Sequence, residues 1–472
     1  MTTTMTEPDA SAAPASERGR AGSPWRRLLE QRFLPLVVAG YLACRFFSFV
    51  VISLVAGHQD PGGIPRGPED GVQPGYLDMT RVWDGDWYRR IVEEGYPDVL
   101  PRDEQGELQQ NQWAFYPLFP MLVRALMTVT GGSFGLVASS LALVLGTAAA
   151  AVMAVLLRDR VGPFVALCAV LVYAASPPSP TLQLAYTESL AMLLLTGFLL
   201  AVSREKWGVA IALALLTGLA RPIAVPLGLV ALVAVIWRWR DRHDRPIGRG
   251  EYAAMLGALV ACGVSGLMWA TYAGWRTGIR SAYTDTMATW RAEGEIHPFT
   301  PWFKNAGYAL GDTTGPLLVV VLVGLVVLAF AGPWAAGLGP VLRTWSLGYL
   351  LYLGAVLDPW TSTYRYLLFL FPLAVVAIGG GWARTDPRAR EFRFTGLRTV
   401  VLVGLGLAWQ VWWIWELLRI IPQQITRSSF LGLGSSSGRG LLRCAPAGIV
   451  AEARAGSPPG ARTEAHGCAV DR

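Results

Sequence analysis

Charge is scarce in this chain. Asp, Glu, Lys and Arg make up 15% of its 472 residues, where a soluble domain carries roughly 25%. Set against 53% hydrophobic residues, that shortage excludes an ordinary soluble α-protein, whose helices need polar faces. Histidine is nearly missing, with four copies, and the five cysteines show no metal-ligand spacing. A His/Cys metal centre is therefore not expected. Cys44, Cys168 and Cys262 lie in apolar segments, where a free cysteine acts as a small hydrophobe. Only Lys206 and Lys304 interrupt an otherwise all-arginine set of 40 basic residues. With the abundant Ala, Gly and Val, this skew points to a GC-rich bacterial genome and carries no chemistry. The net charge of +7 is spread over loops at membrane edges, so nucleic acid is not an expected partner. The first apolar segment is too long for the core of a cleaved signal peptide.

What the chain does have is long apolar runs, such as "PLLVVVLVGLVVLAFAG" and "VVLVGLGLAWQVWWIW", close to the ~17–25 residues that cross a bilayer. The fold class expected is an all-α polytopic membrane protein. Eleven spans are expected, at 33–56, 135–156, 163–177, 188–203, 207–220, 222–237, 252–273, 315–332, 345–357, 366–382 and 399–420, within a range of 10–12. Residues 113–131 are apolar but hold Arg124 and several prolines, and read as a helix at the interface. The pair 207–220 and 222–237 reads as a hairpin with Arg221 at its tip. The membrane domain thus covers 33–420, between a cytoplasmic N-terminal stretch 1–32 and a tail 421–472, both expected without order.

Arginine clusters sit at "SPWRRLLEQR", "RDR" (158–160), "REK" (204–206), "RWRDRHDRPIGR" (238–249) and "RTDPRAREFRFTGLR" (384–398). All five fall on one side with the spans above, and the positive-inside tendency makes it the cytoplasmic side. The first loop on the opposite side, 57–131 with its interfacial helices, is acidic. Its stretch 57–112 holds twelve Asp/Glu against five Arg.

That loop contains "RVWDGDWYRRIVEEGYP" and then "NQWAFYPLFP". Trp83, Trp87 and Tyr88 have flat faces that stack on sugars or anchor at headgroup level. Asp84 and Asp86 are two residues apart. Together they suit a divalent cation such as Mg or Mn, one alone suits a general base, and both suit a solvated interfacial face. Further on, "AYTESL" puts Glu188 at the start of a helix, where an acid suits the dipole and Thr187 suits a cap. Arg221, in "LARPIAVP" with Pro222 fitting a first helical position, needs an anionic partner at membrane depth. Either a bound phosphate or a salt bridge to Glu188 or another acid provides one. "DPWTSTYRYLLFLFPLAV" places Tyr364 and Arg365 at another helix end, where arginine either grips a phosphate or snorkels to the surface.

Taken in order, "WDGDWYRRIVEEGYP", "FYPLFP", "AYTESL", "LARP" and "TYRYLLFLFPL" resemble the PIG-V-like family of membrane mannosyltransferases, which includes GPI mannosyltransferase II and its bacterial relatives. The resemblance covers roughly residues 33–420. It implies the GT-C architecture and an active site on the extracytoplasmic face of a bacterial plasma membrane. It further implies mannose transfer from a polyprenyl-phosphate-mannose donor to a glycolipid, glycan or protein acceptor, among membrane lipids. The family's tryptophan–aspartate signature falls on Trp83 and Asp84, which implies Asp84 as the catalytic base. Trp83, Asp86, Trp87, Tyr88, Tyr116, Glu188, Arg221, Tyr364 and Arg365 are then the expected substrate-binding set, and any metal would sit on Asp84 and Asp86. At "RPIAV" the chain departs from the polar, Gly-containing stretch that often follows the family's arginine. Two other classes fit the same residues: a lipid or polysaccharide transporter or flippase, and a GT-C enzyme for another sugar.

Overall fold

The computed structural model describes residues 24–59, 72–291, 294–359, 362–383 and 394–419. The tail 421–472 and most of the arginine-rich stretch 384–398 lie outside the described residues. Among those described, the secondary structure is helical, with one isolated antiparallel bridge between Arg102 and Leu108 and no strand.

Helix α1 covers Pro24–Gln31, so the end of the stretch 1–32 is helical. Helix α2 (Phe33–Ala56) fills the first expected span residue for residue. The acidic loop carries α3 (Tyr76–Met79), α4 (Asp84–Glu94) and α5 (Leu118–Thr130). Then follow α6 (Phe134–Val161), α7 (Pro163–Ala175), α8 (Glu188–Ser203), α9 (Trp207–Thr217), α10 (Ala224–Arg240) and α11 (Arg249–Thr277). After α12 (Ala282–Ala288) and α13 (Thr300–Leu310) come α14 (Thr314–Ala331), α15 (Gly339–Val356), α16 (Thr363–Leu367), α17 (Pro372–Ala377) and α18 (Thr395–Leu417).

Five helices, α2, α6, α11, α14 and α18, are long and apolar enough to cross a membrane. At 1.5 Å per residue the shortest of them, with 18 residues, reaches about 27 Å, close to the hydrocarbon thickness. This is an α-helical membrane protein. Of the remaining expected spans, α7, α8, α9 and α10 are helices of 11–17 residues, and α15, with 18, is as long as α14. The stretch 366–382 is broken into α16, a 3-10 turn at Leu368–Leu370 and α17. Pro372 explains the break, because it offers no N–H and crowds the residue before it. Prolines also shorten the interfacial helix expected at 113–131, which becomes a 3-10 turn at Gln112–Ala114 followed by α5, with Pro117 at the cap and Pro120 in the first turn.

Helix α7 has 13 residues and so extends about 20 Å. Its last carbonyls have no partners within the helix. Arg45, midway along α2 and 2% exposed, supplies them: its Nη2 donates to Ala174 O at 2.6 Å and to Ser179 Oγ at 2.7 Å, and its Nη1 donates to Ser179 O. A cation at a helix C-terminus is favourable on its own account. From α18, Gln410 adds a bond to Ser176 O at 3.0 Å. The irregular segment 176–187 that follows is almost wholly buried. Backbone of that kind is tolerated at membrane depth only where protein satisfies it, and here it ends at Glu188.

Close helix contact at this level depends on Gly146 of α6. A Cβ there would collide with the Tyr41 hydroxyl and lie 2.9 Å from Ser189 Oγ. Gly146→Ala is expected to destabilise the protein by about 1–3 kcal/mol through overpacking. Gly324→Ala in α14, where nothing lies within 4 Å, should instead be neutral or slightly stabilising, since alanine is the better helix former. Thermal unfolding of both variants in detergent checks the opposite signs.

Candidate active site

Four charged side chains from four separate segments meet in one chain of contacts. Asp84 is the first residue of α4, where a carboxylate suits the helix dipole and its side chain is 24% exposed. Arg365, from α16, donates from Nη1 to Asp84 Oδ2 at 2.7 Å and to Glu188 Oε1 at 3.1 Å. Glu188 begins α8 and is 1% exposed. Its Oε1 also lies 3.2 Å from Nη1 of Arg221, in the turn between α9 and α10. The order is carboxylate, guanidinium, carboxylate, guanidinium, and the formal charges cancel. Asp84 and Arg365 are 281 positions apart in sequence, so only the fold brings them together.

Aromatic rings enclose the guanidinium groups. Arg221 sits 4.7 Å from the ring centre of Tyr366 and 4.8 Å from that of Phe369, and Arg365 sits 5.2 Å from that of Tyr186. These are cation–π distances. The Asp84 and Glu188 carboxylates offset the cost of burying the Arg365 charge. The Tyr186 hydroxyl donates to Val82 O at 2.9 Å, which ties the buried segment before α8 to the turn before α4. Glu188 Oε2 is buried with no hydrogen-bond partner among the described residues.

Of the anionic partners open to Arg221, the salt bridge to Glu188 is present. Two local expectations need correction. Thr187 stands at the cap position of α8 but makes no capping bond; its hydroxyl faces Ala220 O at 3.5 Å instead. Pro222 is not the first residue of α10, which begins at Ala224 after Ile223.

Of the ten residues singled out from the sequence, Asp84, Glu188, Arg221 and Arg365 form this centre, and Trp83 borders it. Asp86 is directed elsewhere: Arg89 and Arg90 hold its two oxygens at 2.7 and 2.9 Å. Both aspartates lie in the first turn of α4, and helix residues two apart do not share a face. The pair does not fit a shared divalent cation, and no cluster of three or more His, Cys, Asp or Glu forms among the described residues. Trp87 stacks on Phe115 at 5.7 Å with Arg90 over its ring at 4.9 Å, so its ring is already engaged. Tyr88 is buried edge-on against Phe115 and Phe119. The Tyr116 hydroxyl pairs with that of Tyr283 at 3.2 Å, and Tyr364 packs with the cluster around Ile52, Val82 and Trp413.

Sequence reasoning passed over Tyr186, Phe369 and Arg45. The first two lie inside "AYTESL" and "TYRYLLFLFPL", as aromatic residues next to or near the charged ones. Arg45 carries a plain signal, a charge midway along the first apolar run.

The arrangement offers one partly exposed carboxylate whose partner guanidinium is anchored from behind by a buried one. An incoming anion can take the place of Asp84 on Arg365, which frees the carboxylate to accept a proton from a hydroxyl. Neither protein-family models nor curated protein sequences return a match to this chain.

Proposed function

We propose that this chain is a GT-C-type membrane mannosyltransferase, similar to the PIG-V-like enzymes, that works on the extracytoplasmic side of a bacterial plasma membrane with ten to twelve spans. The observation that carries the reading is the contact chain Asp84–Arg365–Glu188–Arg221 at the ends of short helices. Transfer from a lipid-linked sugar needs a base for the acceptor hydroxyl and cations for the departing phosphate, and this centre offers both beside each other. The orientation is supported by the arginine-rich loops of the opposite side. A lipid-phosphate donor suits that face because nucleotide sugars stay in the cytoplasm.

In the proposed reaction Asp84 accepts the proton as the acceptor oxygen attacks the anomeric carbon. The bond from that carbon to the phosphate oxygen breaks, through a state with oxocarbenium character. Polyprenyl phosphate leaves from the opposite face with the electron pair, its charge met by Arg365 and Arg221. One displacement inverts the centre, so a β-linked donor gives an α-mannoside. No metal enters this sequence.

Short helices that meet at a charged centre are also how transporters hold solutes, and a transporter is the second reading. The deciding experiment supplies radiolabelled polyprenyl-phosphate-mannose to membranes with and without the chain, in a host deleted for its gene and with host lipids and glycans present. Chain-dependent label in a covalent product is the expected result, and its chemical analysis identifies the acceptor. Chain-dependent movement of the donor across the membrane with no product would establish the transporter instead.

A further inference from the structure

We propose that Trp83 is a positioning residue: the hydrogen bond from its indole N–H to the Leu417 carbonyl, at the end of α18, holds the turn that aims Asp84 at Arg365. The proposal rests on Asp84 as the base, and it removes Trp83 from the set of sugar-stacking side chains.

The backbone at Trp83 has φ 55 and ψ −118. A bulky residue with positive φ is a genuine outlier, and such strain persists only where the surroundings over-determine it. Burial of the ring does not hold it, because Trp83 is 55% exposed. Hydrogen bonds do. Nε1 donates to Leu417 O at 2.9 Å, and the Tyr186 hydroxyl donates to Val82 O at 2.9 Å on the other side of the turn. Leu417 is the last residue of α18, so its carbonyl has no partner inside the helix and is free to be capped from outside.

The turn then closes into α4 within two residues. The amides of Gly85 and Asp86 donate to Val82 O and Trp83 O, each at 3.1 Å. Gly85 is needed for the close approach, since a Cβ there would lie 3.1 Å from Thr80 O and 3.5 Å from Tyr186. The reversed φ at Trp83 sets the direction in which α4 departs, and with it the position of the first side chain, Asp84. With the tether lost, the strained turn is expected to relax and carry the carboxylate away from Arg365.

The test uses the full chain in detergent or nanodiscs and compares wild type with Trp83→Phe, which keeps an aromatic ring and loses the N–H. Amide hydrogen exchange in a peptide covering 84–90 should accelerate about tenfold, with α2 peptides unchanged, because local opening is limited by the bonds that close the turn. In the transfer assay kcat should fall about 10–100-fold with the donor KM unchanged, the signature of a misplaced reacting group. Should Trp83→Phe fail to fold, Trp83→Leu also loses the N–H while the side chain keeps the positive φ costly, and it should show the same faster exchange. Exchange at the wild-type rate in a folded variant overturns the tether. A raised KM with unchanged kcat overturns it too, and makes Trp83 a sugar-binding side chain. If wild-type chain transfers no mannose, the glycosyltransferase reading falls by itself, and the exchange rates still decide whether the tether holds the turn.

Discussion

Asp84→Asn is expected to lower mannose transfer by about 10²–10⁴-fold, the usual cost of losing a general base, while the protein stays folded. Asparagine has the same shape, and its amide oxygen can still accept from Arg365 Nη1, now 2.7 Å from the aspartate. It has no useful affinity for the proton that the attacking hydroxyl must shed. Arg365 keeps Glu188 as an ionic partner and the asparagine oxygen as a neutral acceptor, so the loss of stability should be about 1–3 kcal/mol. The control is Asp86→Asn, two residues away. It loosens the contacts with Arg89 and Arg90 but touches no group in the proposed reaction. Transfer by Asp86→Asn should therefore stay within about tenfold of wild type. Initial rates from labelled donor, normalised to the amount of folded chain, separate the two aspartates. Equal transfer by wild type and Asp84→Asn would remove Asp84 from the chemistry, and equal loss in both variants would point to a disturbed α4 instead of a missing base.

The helices were legible where apolar runs are long and bounded by charge. Both α2 and α8 begin and end where the sequence places them, since Arg32 and Arg204 flank runs with no interior break. The stretch 366–382 reads as one span because it is apolar and holds no charge. Its interruption is steric, set by Pro372, and hydropathy does not register it. The candidate site was legible as a collection of unusual charges at helix ends, and Glu188, Arg221 and Arg365 were each noticeable alone. Their mutual contacts were only partly so. The Arg221–Glu188 bridge was one option among several, and nothing in a linear reading joins Arg365 to Asp84. A cation shared by Asp84 and Asp86 is one of three options the sequence leaves open, and closeness along a chain is not closeness in space. A helix that begins at Asp84 points the two carboxylates to different partners.

Glu188→Leu is expected to destabilise the protein by about 3–5 kcal/mol, the cost of breaking a buried ion pair from one side. Its carboxylate is 1% exposed and serves two arginines, with Oε1 at 3.1 Å from Arg365 and 3.2 Å from Arg221. Arg365 keeps Asp84 in the variant. Arg221 keeps the faces of Tyr366 and Phe369 but loses its carboxylate, at a side-chain exposure of 8%. The destabilisation should therefore come mostly from one stranded charge, which gives a sharper expectation for the double variant. Glu188→Leu with Arg221→Met removes the stranded charge, and replacing a whole buried pair by apolar groups of similar size is often neutral or favourable. Unfolding in detergent should show the double variant recovering most of the loss, a coupling of a few kcal/mol. Transfer should not recover with it, because the departing phosphate would still lack Arg221. If the single and double variants are equally unstable, the shape of Glu188 and not its charge holds the centre, and the alternating carboxylates and guanidiniums are a consequence of packing with no bearing on how the site binds an anion.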